Sequence, residues 1–220
     1  MPLTLDLHTH STASADGGIT VDEYEQAFSS GVIDCVAVTD HNTIEFAQQL
    51  YAIHGPERVI IGEEITTIQG DIIGLFLSTV VTPGQDITDA IDDIKSQGGL
   101  VYIPHPFETV RKGITLETLT NIADTVDIIE TMNGRAYFQN YSQQTHEWAQ
   151  HNNVPGASSS DAHSHHGLGS TYMTVSEPPT LSNLATLVAR AQHSYAKPSI
   201  RTLLAPKLNK SRKLLAKAWS

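Results

Sequence analysis

Short apolar runs of strand length alternate with helix patterns along most of this 220-residue chain. We predict helices between most of seven strands, which lie at 3–8, 35–39, 59–65, 72–77, 100–103, 126–131 and 154–157. This alternation favours a parallel sheet with crossover helices over a meander of hairpins. The sequence therefore predicts an α/β fold, and one domain accounts for the length of the chain.

Two predicted helices have clear boundaries. Thr20-Val21-Asp22-Glu23 is a capping box, which predicts a helix that begins there and ends near Gly31. Apolar residues at helical spacing between Asp86 and Gln97 predict another helix, which Gly98-Gly99 ends before the strand at 100–103. This second helix and its strand form one repeat unit of an alternating fold.

Charge is distributed unevenly along the chain. Residues 1–177 contain all 24 acidic residues and five basic ones, a formal net charge of −19, whereas the rest contains eight basic residues and no acidic one. A body this acidic repels a polyanion, so we do not expect duplex nucleic acid to bind across its surface. A local site for an anion is still compatible with this charge.

Basic residues recur from Lys197 onward, which divides the chain into a body at 1–196 and a basic C-terminal segment at 197–220. Three interpretations of the segment remain open: a helix packed on the acidic body, a solvated tail, or a helix that binds a membrane surface or a partner. No apolar run reaches the ~20 residues that span a bilayer. The start lacks the basic flank of a signal peptide, and we expect a cytoplasmic protein.

Metal-binding side chains recur at the ends of the predicted strands. In Asp6-Leu7-His8-Thr9-His10, alternate residues of a strand point to one face, which would place two imidazoles beside a supporting carboxylate. This motif alone is weak evidence, but later strand ends add donors of the same types: His41, Glu63, Glu64, His105, Asp161 and His163. The carboxyl ends of strands build the active site of a barrel, so the sequence predicts a metal centre there.

Other motifs and histidines do not support a different chemistry. The signatures G-x-S-x-G, G-x-x-x-x-G-K-[ST] and G-x-G-x-x-G are absent, which disfavours a serine triad, a P-loop and a dinucleotide site. His165 and His166 lie near Asp161 and are intermediate cases. We predict solvated or structural roles for four histidines that fall in predicted helices: His54, His146, His151 and His193.

Taken together, these motifs resemble the PHP (polymerase and histidinol phosphatase) family of metal-dependent phosphoesterases. The resemblance covers residues 3 to about 175 and rests on six pieces: H-x-H, Ser14-Ala15-Asp16-Gly17, Thr39-Asp40-His41, Gly62-x-Glu64, His105-Pro106 and Ser160-Asp161-x-His163. It implies a distorted (β/α)7 TIM-like barrel with two or three divalent metal ions, and Glu64 as a bridging ligand. The ligands implied by position are His8, His10, Asp16, His41, Glu64, His105, Asp161 and His163.

One position departs from the family pattern. Many relatives have a histidine ligand on the strand after Gly-x-Glu, where this chain offers Asp71 in Gly70-Asp71-Ile72-Ile73-Gly74. Either Asp71 substitutes for that histidine or one metal site is weakened. We therefore predict two metal ions and regard the third as less secure.

The ligand types also indicate a mechanism. Imidazoles and carboxylates without a thiolate suit Zn, Mn or Fe better than Cu(I) or an iron–sulfur cluster. We expect metal-activated water to attack phosphorus, with catalytic roles for Glu64, His41 and Asp161. The segment 128–133 resembles the family's sixth-strand region, and its last residue joins three rim cations in the predicted substrate-binding set: Arg111, Lys112, Arg135 and Asn133. Cations that only neutralise nearby carboxylates are the competing interpretation.

The sequence thus predicts a hydrolase that cleaves a small phosphate mono- or diester. Its loops contain few aromatic residues for base stacking, which favours a small phosphorylated metabolite or nucleotide as substrate. Two alternatives remain open: a nuclease acting on short oligonucleotides, and a non-catalytic metal-binding module that docks a partner through the basic segment. The nearly complete ligand set disfavours a loss of activity. The oligomeric state is left open.

Overall fold

The computed structural model describes residues 2–137 and 139–218, with nine strands and seven α-helices. The strands are Leu3–Thr9 (β1), Cys35–Val38 (β2), Val59–Thr66 (β3), Asp71–Leu75 (β4), Leu100–Ile103 (β5), Ile128–Asn133 (β6), Gly156–Ser159 (β7), Thr171–Val175 (β8) and Gln192–Tyr195 (β9). The helices are Val21–Ser29 (α1), Glu45–His54 (α2), Ile87–Ser96 (α3), Leu116–Asn121 (α4), Ser142–Asn152 (α5), Leu184–Ala189 (α6) and Ile200–Ala218 (α7).

The strands form one sheet in the order β7-β6-β5-β4-β3-β2-β1-β8-β9. Strands β4 and β8 run antiparallel to their neighbours, and the other pairs are parallel. The sheet curls until β7 returns beside β1, where the amide of His10 donates to the carbonyl of Ala162 at 2.8 Å and the amide of Ser160 donates to the carboxylate of Asp6 at 3.0 Å. These contacts make a nearly closed barrel, and the predicted α/β barrel is confirmed.

Two features of the sheet differ from the prediction. The sheet is mixed rather than parallel, because only residues 67–70 separate β3 from β4, and a connection this short closes a hairpin and not a crossover. Strands β8 and β9 were not predicted. His193, predicted in a helix, lies on β9, and its Nδ1 is 2.8 Å from Oγ of Ser158. The sequence of β9, Gln-His-Ser-Tyr, is short and mostly exposed, so it lacks an apolar signal.

The predicted helix boundaries agree with the structure. Thr20 caps α1, because its Oγ1 accepts from the amide of Glu23 at 3.3 Å while the Glu23 carboxylate accepts from the amide of Thr20 at 2.9 Å. Helix α3 buries the four apolar residues that share one face and ends before Gly98, which has a positive φ of 76°. Local sequence therefore determines where these two helices begin and end.

The core is divided between the inside of the barrel and the layer beneath the helices. Side chains from β1 through β8 pack together inside, among them Leu5, Leu7, Ile73 and Tyr102. The opposite face of the strands packs against helices, as where Val36 contacts the cluster built on α1 and α2. Because both faces of the sheet are covered by apolar side chains, the strand ends are fixed in position.

The basic segment forms α7, which packs on the acidic body. Nδ2 of Asn209 donates to the carbonyls of Asp16 and His163, at 3.0 and 2.8 Å. Nζ of Lys213 donates to three carbonyls of one loop, those of Thr12, Ser14 and Gly17, at 2.8, 2.5 and 2.8 Å. A helix packed on the body is one of the three interpretations given by the sequence.

The domain boundary at residue 197 stays a prediction. The N-terminal Met1 of the predicted barrel domain, and Trp219 and Ser220 of the predicted segment, lie outside the described residues. Among the helices that the structure describes, none is long and apolar enough to cross a membrane. The cellular location also stays a prediction.

Candidate metal centre

The structure brings all eight predicted ligands together at one end of the barrel. They come from different strand ends and from the loop after β1, as the alternating fold predicts. Six of them are buried, whereas the side chains of Asp16 and His41 are 27% and 30% exposed. The eight are His8, His10, Asp16, His41, Glu64, His105, Asp161 and His163.

Two imidazole nitrogens face each other at the centre of this cluster. Nε2 of His8 and Nε2 of His10 are 3.0 Å apart. One carboxylate oxygen of Glu64 and one of Asp161 lie 3.3 to 3.7 Å from both nitrogens. Four lone-pair donors around one point favour a cation, because each donor repels the others unless a proton or a metal ion lies between them.

Glu64 extends the cluster on one side. Its Oε1 is 3.0 Å from Nε2 of His105, and its Oε2 is 3.1 Å from Nδ1 of His41. With His8 and His10, this carboxylate contacts four imidazoles through both of its oxygens. Such a position fits the bridging ligand that the family resemblance implies.

Asp16 closes the cluster on the exposed side. Its two oxygens lie 3.6 Å from Nε2 of His41 and 3.4 Å from Nε2 of His163, while Nδ1 of His163 is 3.2 Å from Asp161. Ligand atoms within 4.8 Å of one another occur in three overlapping sets among the described residues: His8, Glu64 and His105; His8, His10 and Asp161; His10, His41 and His163. Because His8 and His10 each belong to two of these sets, the arrangement suits neighbouring metal ions that share ligands.

The Nδ1 atoms of His8 and His10, which face away from the centre of the cluster, contact supporting groups. Nδ1 of His8 is 3.2 Å from Glu130, and Nδ1 of His10 is 3.2 Å from the hydroxyl of Ser14. Support on one nitrogen leaves the other free to bind a metal, as in metal-binding histidines generally. Buried polar atoms without a hydrogen-bond partner in the described part of the chain also lie here: Nδ1 of His105 and one oxygen each of Asp16 and Asp71. The residues present therefore fit divalent metal ions.

The electrostatics of the cluster favour bound positive charge. Burial opposes ionisation of Asp161, but Arg135 and His8 hold the pKa of this carboxyl well below its usual range. Burial also disfavours the charged form of His10, yet hydrogen bonds with Asp161 and Glu64 outweigh it and raise the imidazole pKa to about 9. The raised pKa values of His8 and His10 favour protonated rings in the metal-free protein at neutral pH, and a metal ion would replace these protons.

Glu130 on β6 supplies the supporting carboxylate that the sequence assigned to Asp6. Besides His8, Glu130 accepts from the hydroxyl of Tyr102 at 2.9 Å, the amide of His105 at 2.7 Å and Nδ2 of Asn133 at 2.8 Å. Strand order explains this network, because β5 and β6 are parallel neighbours. The segment around Glu130 resembles the family's sixth-strand region, but its sequence indicates no role for Glu130 itself.

Asp6 contacts backbone amides and not an imidazole. Its Oδ1 accepts from the amides of His8 and Ser160, at 3.2 and 3.0 Å, and burial raises its pKa to about 7. The expectation that Asp6 would support a histidine ring was therefore wrong. The side chain of Asp6 does not follow the expected alternation because the register of β1 with β2 shifts between Asp6 and Thr9. A shifted register breaks the simple alternation of side chains.

Asp71 lies at the edge of the centre. It begins β4, pairs with Thr66 of β3, and lines the same pocket as Glu64 and His105. Burial, and then the charge of Glu64, raise the pKa of the Asp71 carboxyl to about 6. A buried carboxylate oxygen without a partner at this position is compatible with the substitution that the sequence suggested.

The loop that carries Asp16 is built around Asp40. The carboxylate of Asp40 accepts from the amides and the hydroxyls of Ser11 and Ser14, four donors in all. Gly17 then turns the chain so tightly that a Cβ at this position would lie 2.1 Å from the carbonyl oxygen of Ser11. The hydrogen bonds to Asp40 and the tight turn at Gly17 therefore determine the position of Asp16.

The backbone of two predicted ligands is in the left-handed region. His105 has a φ of 28° and Asp161 a φ of 52°. Histidine and aspartate adopt this region more often than most residues, but it still costs about 1 kcal/mol or more relative to ordinary backbone. Contacts around the centre compensate for this cost, such as the bond from the amide of His105 to Glu130.

The predicted substrate-binding residues mostly contact protein carboxylates. Arg111 donates to both oxygens of Glu108, and its Nη1 donates to Asp161 at 2.5 Å and to Asn133 at 2.6 Å. Nη1 of Arg135 is 3.3 Å from both oxygens of Asp161. Lys112 is exposed and lines the pocket. The arginines thus neutralise Asp161 and also line the pocket, so the two interpretations of these cations are not exclusive.

A cavity of about 510 Å³ opens over the centre, a size suited to a small molecule. Its wall includes Glu64, Asp161 and the three predicted rim cations. It also includes three residues of α7 that the sequence analysis did not place here: Pro206, Lys207 and Lys210. The charge contrast between the body and the basic segment was the available signal for this contact.

The other histidines lie apart from the centre. His165 and His166 are exposed, and Nδ1 of His165 contacts Glu23 at 2.7 Å. None of the remaining four, within the residues that the structure describes, belongs to a set of ligand atoms: His54, His146, His151 and His193. The structure agrees with structural or solvated positions for them.

Comparison of the sequence finds relatives of unassigned function. No protein-family model matches the chain. Uncharacterized protein MJ1587 of Methanocaldococcus jannaschii is 44% identical over 85 residues, which are 37% of this chain and 49% of that protein. Uncharacterized protein MJ0417 of the same organism is 29% identical over 180 residues, 80% of this chain and 71% of that protein. The match thus spans about half the length of MJ1587.

Comparison of the structure finds barrels of the type that the motifs indicate. A two-domain protein from Bacteroides vulgatus, containing a predicted PHP-like metal-dependent phosphoesterase, aligns with a TM-score of 0.70 and 20% identity over 96% of this chain and 70% of that one. A candidate metal-dependent phosphoesterase from Bifidobacterium adolescentis aligns with a TM-score of 0.59 and 17% identity over 86% and 96%. The lesion-specific endonuclease PfuEndoQ from Pyrococcus furiosus aligns with a TM-score of 0.61 and 15% identity over 88% and 57%. The chain therefore has a PHP-like fold.

Proposed function

We propose that this chain is a metal-dependent phosphoesterase of the PHP type, which hydrolyses a small phosphate mono- or diester. One observation carries the proposal: Nε2 of His8 and Nε2 of His10 converge with the carboxylates of Glu64 and Asp161 at the end of a PHP-like barrel. The similar structures support a hydrolase of this class.

The proposed cofactors are two or three divalent ions of Zn, Mn or Fe, held by the eight clustered ligands. Bound ions of this kind supply Lewis acidity and lower the pKa of water. The ligand types support these metals, because imidazole and carboxylate donors suit them. Asp71 is the proposed additional ligand for a third ion, since its buried carboxylate faces the pocket beside Glu64.

The chain's own residues would hold the substrate and fix the geometry. Glu64, His41 and Asp161 line the pocket and are the proposed catalytic residues. Arg111 and Arg135 hold Asp161 through hydrogen bonds and also line the pocket. We assign phosphate binding to these arginines with Lys112, and to Asn133 a positioning role, because its Oδ1 accepts from Arg111 and from the amide of Arg135.

A nuclease acting on short oligonucleotides is the second candidate. It is favoured by the structural similarity to PfuEndoQ, which is an endonuclease. The acidic body opposes long nucleic acid, whereas the lysines of α7 at the pocket would attract a short strand. Binding that weakens steeply with salt would favour this candidate over a small metabolite.

A metal-binding module without activity is less well supported. The basic segment would have to dock a partner, yet Asn209 and Lys213 of α7 are already bonded to the loops of the centre. The ligands also surround an open pocket and not a closed metal site.

The test is hydrolysis of a generic phosphomonoester and a generic phosphodiester by protein reconstituted with Mn or Zn. A chelated sample and the His8→Ala variant are the controls. Metal-dependent turnover that both controls lose would establish the phosphoesterase and its ester class. Metal binding without turnover of either ester would favour the binding module or an enzyme with a narrow substrate range.

A further inference from the structure

Helix α7 presents different faces to the body and to the pocket. Asn209 and Lys213, one turn apart, bond the loops that carry Asp16 and His163. Lys207 precedes Asn209 on the helix, and Lys210 lies between Asn209 and Lys213. Both lysines line the pocket. The bonded face fixes the helix in place, so the two lysines are held in the wall of the cavity.

These lysines differ from the arginines deeper in the pocket. Arg111 and Arg135 already donate to Asp161, and Arg111 also donates to Glu108. Lys207 and Lys210 are exposed, and neither forms an ion pair with a carboxylate in the described part of the chain. Their ammonium groups are therefore available to a ligand without first breaking a protein contact.

We propose that Lys207 and Lys210 bind a second anionic group of the substrate, at a distance from the phosphoryl group that reacts at the metal centre. The inference rests on the proposed function and narrows its substrate class to phosphorylated small molecules with another phosphate or carboxylate. The reacting group belongs at the cluster of His8, His10, Glu64 and Asp161, whereas the lysines belong to α7, which lines the same cavity as Glu64 and Asp161. A cavity of about 510 Å³ accommodates both groups of such a molecule.

The charge of the molecule makes these lysines selective. The body has a net charge of −19, so an anion is repelled on approach except where basic residues are concentrated. Helix α7 places two basic residues in the wall of the cavity over Glu64. A substrate with two anionic groups gains from both the centre and the lysines, whereas a monophosphate gains from the centre alone.

The experiment compares two charge-matched double variants of α7. Lys207→Ala with Lys210→Ala removes the pocket cations, and Arg201→Ala with Arg212→Ala removes two exposed charges of the same helix that do not line the pocket. A hexose monophosphate and a hexose bisphosphate are the probes. KM and kcat are measured with metal, and the dissociation constant is measured by calorimetry in chelator, where turnover is absent.

For the lysine variant we expect KM and the dissociation constant of the bisphosphate to rise about tenfold, with little change for the monophosphate. The kcat, the metal content and the thermal unfolding temperature should match those of the arginine variant. Lys207→Arg with Lys210→Arg should retain most of the affinity, because the charge remains.

Two results would overturn the inference: equal bisphosphate binding by both double variants, or an equal loss for the mono- and the bisphosphate. The second would place the lysines on the reacting phosphoryl group. If the wild type binds the bisphosphate through these lysines but hydrolyses no ester with any metal, the proposed function fails while the anion site stands.

Discussion

Oε1 of Glu130 lies 3.2 Å from Nδ1 of His8, on the side of the ring opposite to the nitrogen that faces His10. This pair joins the barrel wall to the metal centre, because Glu130 also accepts from Tyr102 and from the amide of His105. One carboxylate thus sets the orientation of one proposed ligand and the backbone of another.

Replacing Glu130 with Gln should weaken metal binding by about 10- to 100-fold, because the amide is a poorer acceptor for the histidine ring. Calorimetric titration with Mn or Zn would measure the change. The exposed Glu177→Gln is the control and should bind metal like the wild type. Wild-type affinity in Glu130→Gln would show that this carboxylate does not support the centre.

Replacing Arg111 with Ala should raise KM for a phosphoester by about tenfold or more and lower the metal content much less. The physical reason is that the guanidinium lines the pocket, while Asp161 keeps Arg135 as a partner. Arg111→Lys should not restore KM. An ammonium group cannot form the two parallel bonds to Glu108 that position the Arg111 guanidinium at the pocket. Loss of metal at unchanged KM would indicate that Arg111 supports Asp161 and does not bind the substrate.

Metal binding should release protons and strengthen as the pH rises. The imidazole pKa of His10 is raised to about 9, so this ring is protonated at pH 7 in the metal-free protein and must lose its proton to bind metal. Affinity should increase between pH 7 and 9 and then level off. Titrations in two buffers of different ionisation enthalpy would count the protons, and affinity independent of pH over this range would contradict the expectation.

The same shift predicts how the metal-free protein responds to pH. Because the pKa of His10 is higher in the folded state than the ordinary 6.5, its contribution to stability is complete below pH 6.5 and is lost as pH rises through 9. Urea unfolding in chelator should therefore give a lower free energy of unfolding at pH 9.5 than at pH 7. His10→Ala should reduce this difference.

Replacing Lys213 with Met should loosen the loop at 11–17. The ammonium group donates to three carbonyls of this loop, and Met retains the packing of the stem without the donors. We expect faster amide hydrogen exchange in the loop and weaker binding of the ion nearest Asp16. Arg212→Met on the same helix is the control. Unchanged exchange would indicate that Asp40 alone is enough to hold the loop.

Features that depend on local sequence were predictable here. Seven strands, the cap of α1 and the positions of seven of the eight clustered side chains follow from apolar runs and the residues that end them, whereas Asp16 came from the family resemblance alone. A donor at a strand end needs no knowledge of the rest of the fold to be placed at the barrel rim. Whether those eight residues act as ligands stays a prediction.

Features that depend on contacts between residues far apart in the sequence were not predictable. The pairing of Glu130 with His8 joins residues 122 positions apart, and that of Lys213 with Thr12 joins residues 201 positions apart. Neither residue differs in its local sequence from an ordinary charged residue. Strand β9 was not predicted because it forms by pairing with β8. The contact expected between Asp6 and a histidine ring is not formed because the register of β1 is irregular.

The left-handed backbone at His105 and Asp161 limits how the protein can evolve. Selection for thermal tolerance favours residues that relax such positions, and glycine would do so at both. Glycine would also remove an imidazole and a carboxylate from the cluster. A stabilising change to glycine is therefore blocked at these two residues, and gains in heat resistance must come from positions that hold no ligand, such as Phe76 with its φ of 60°.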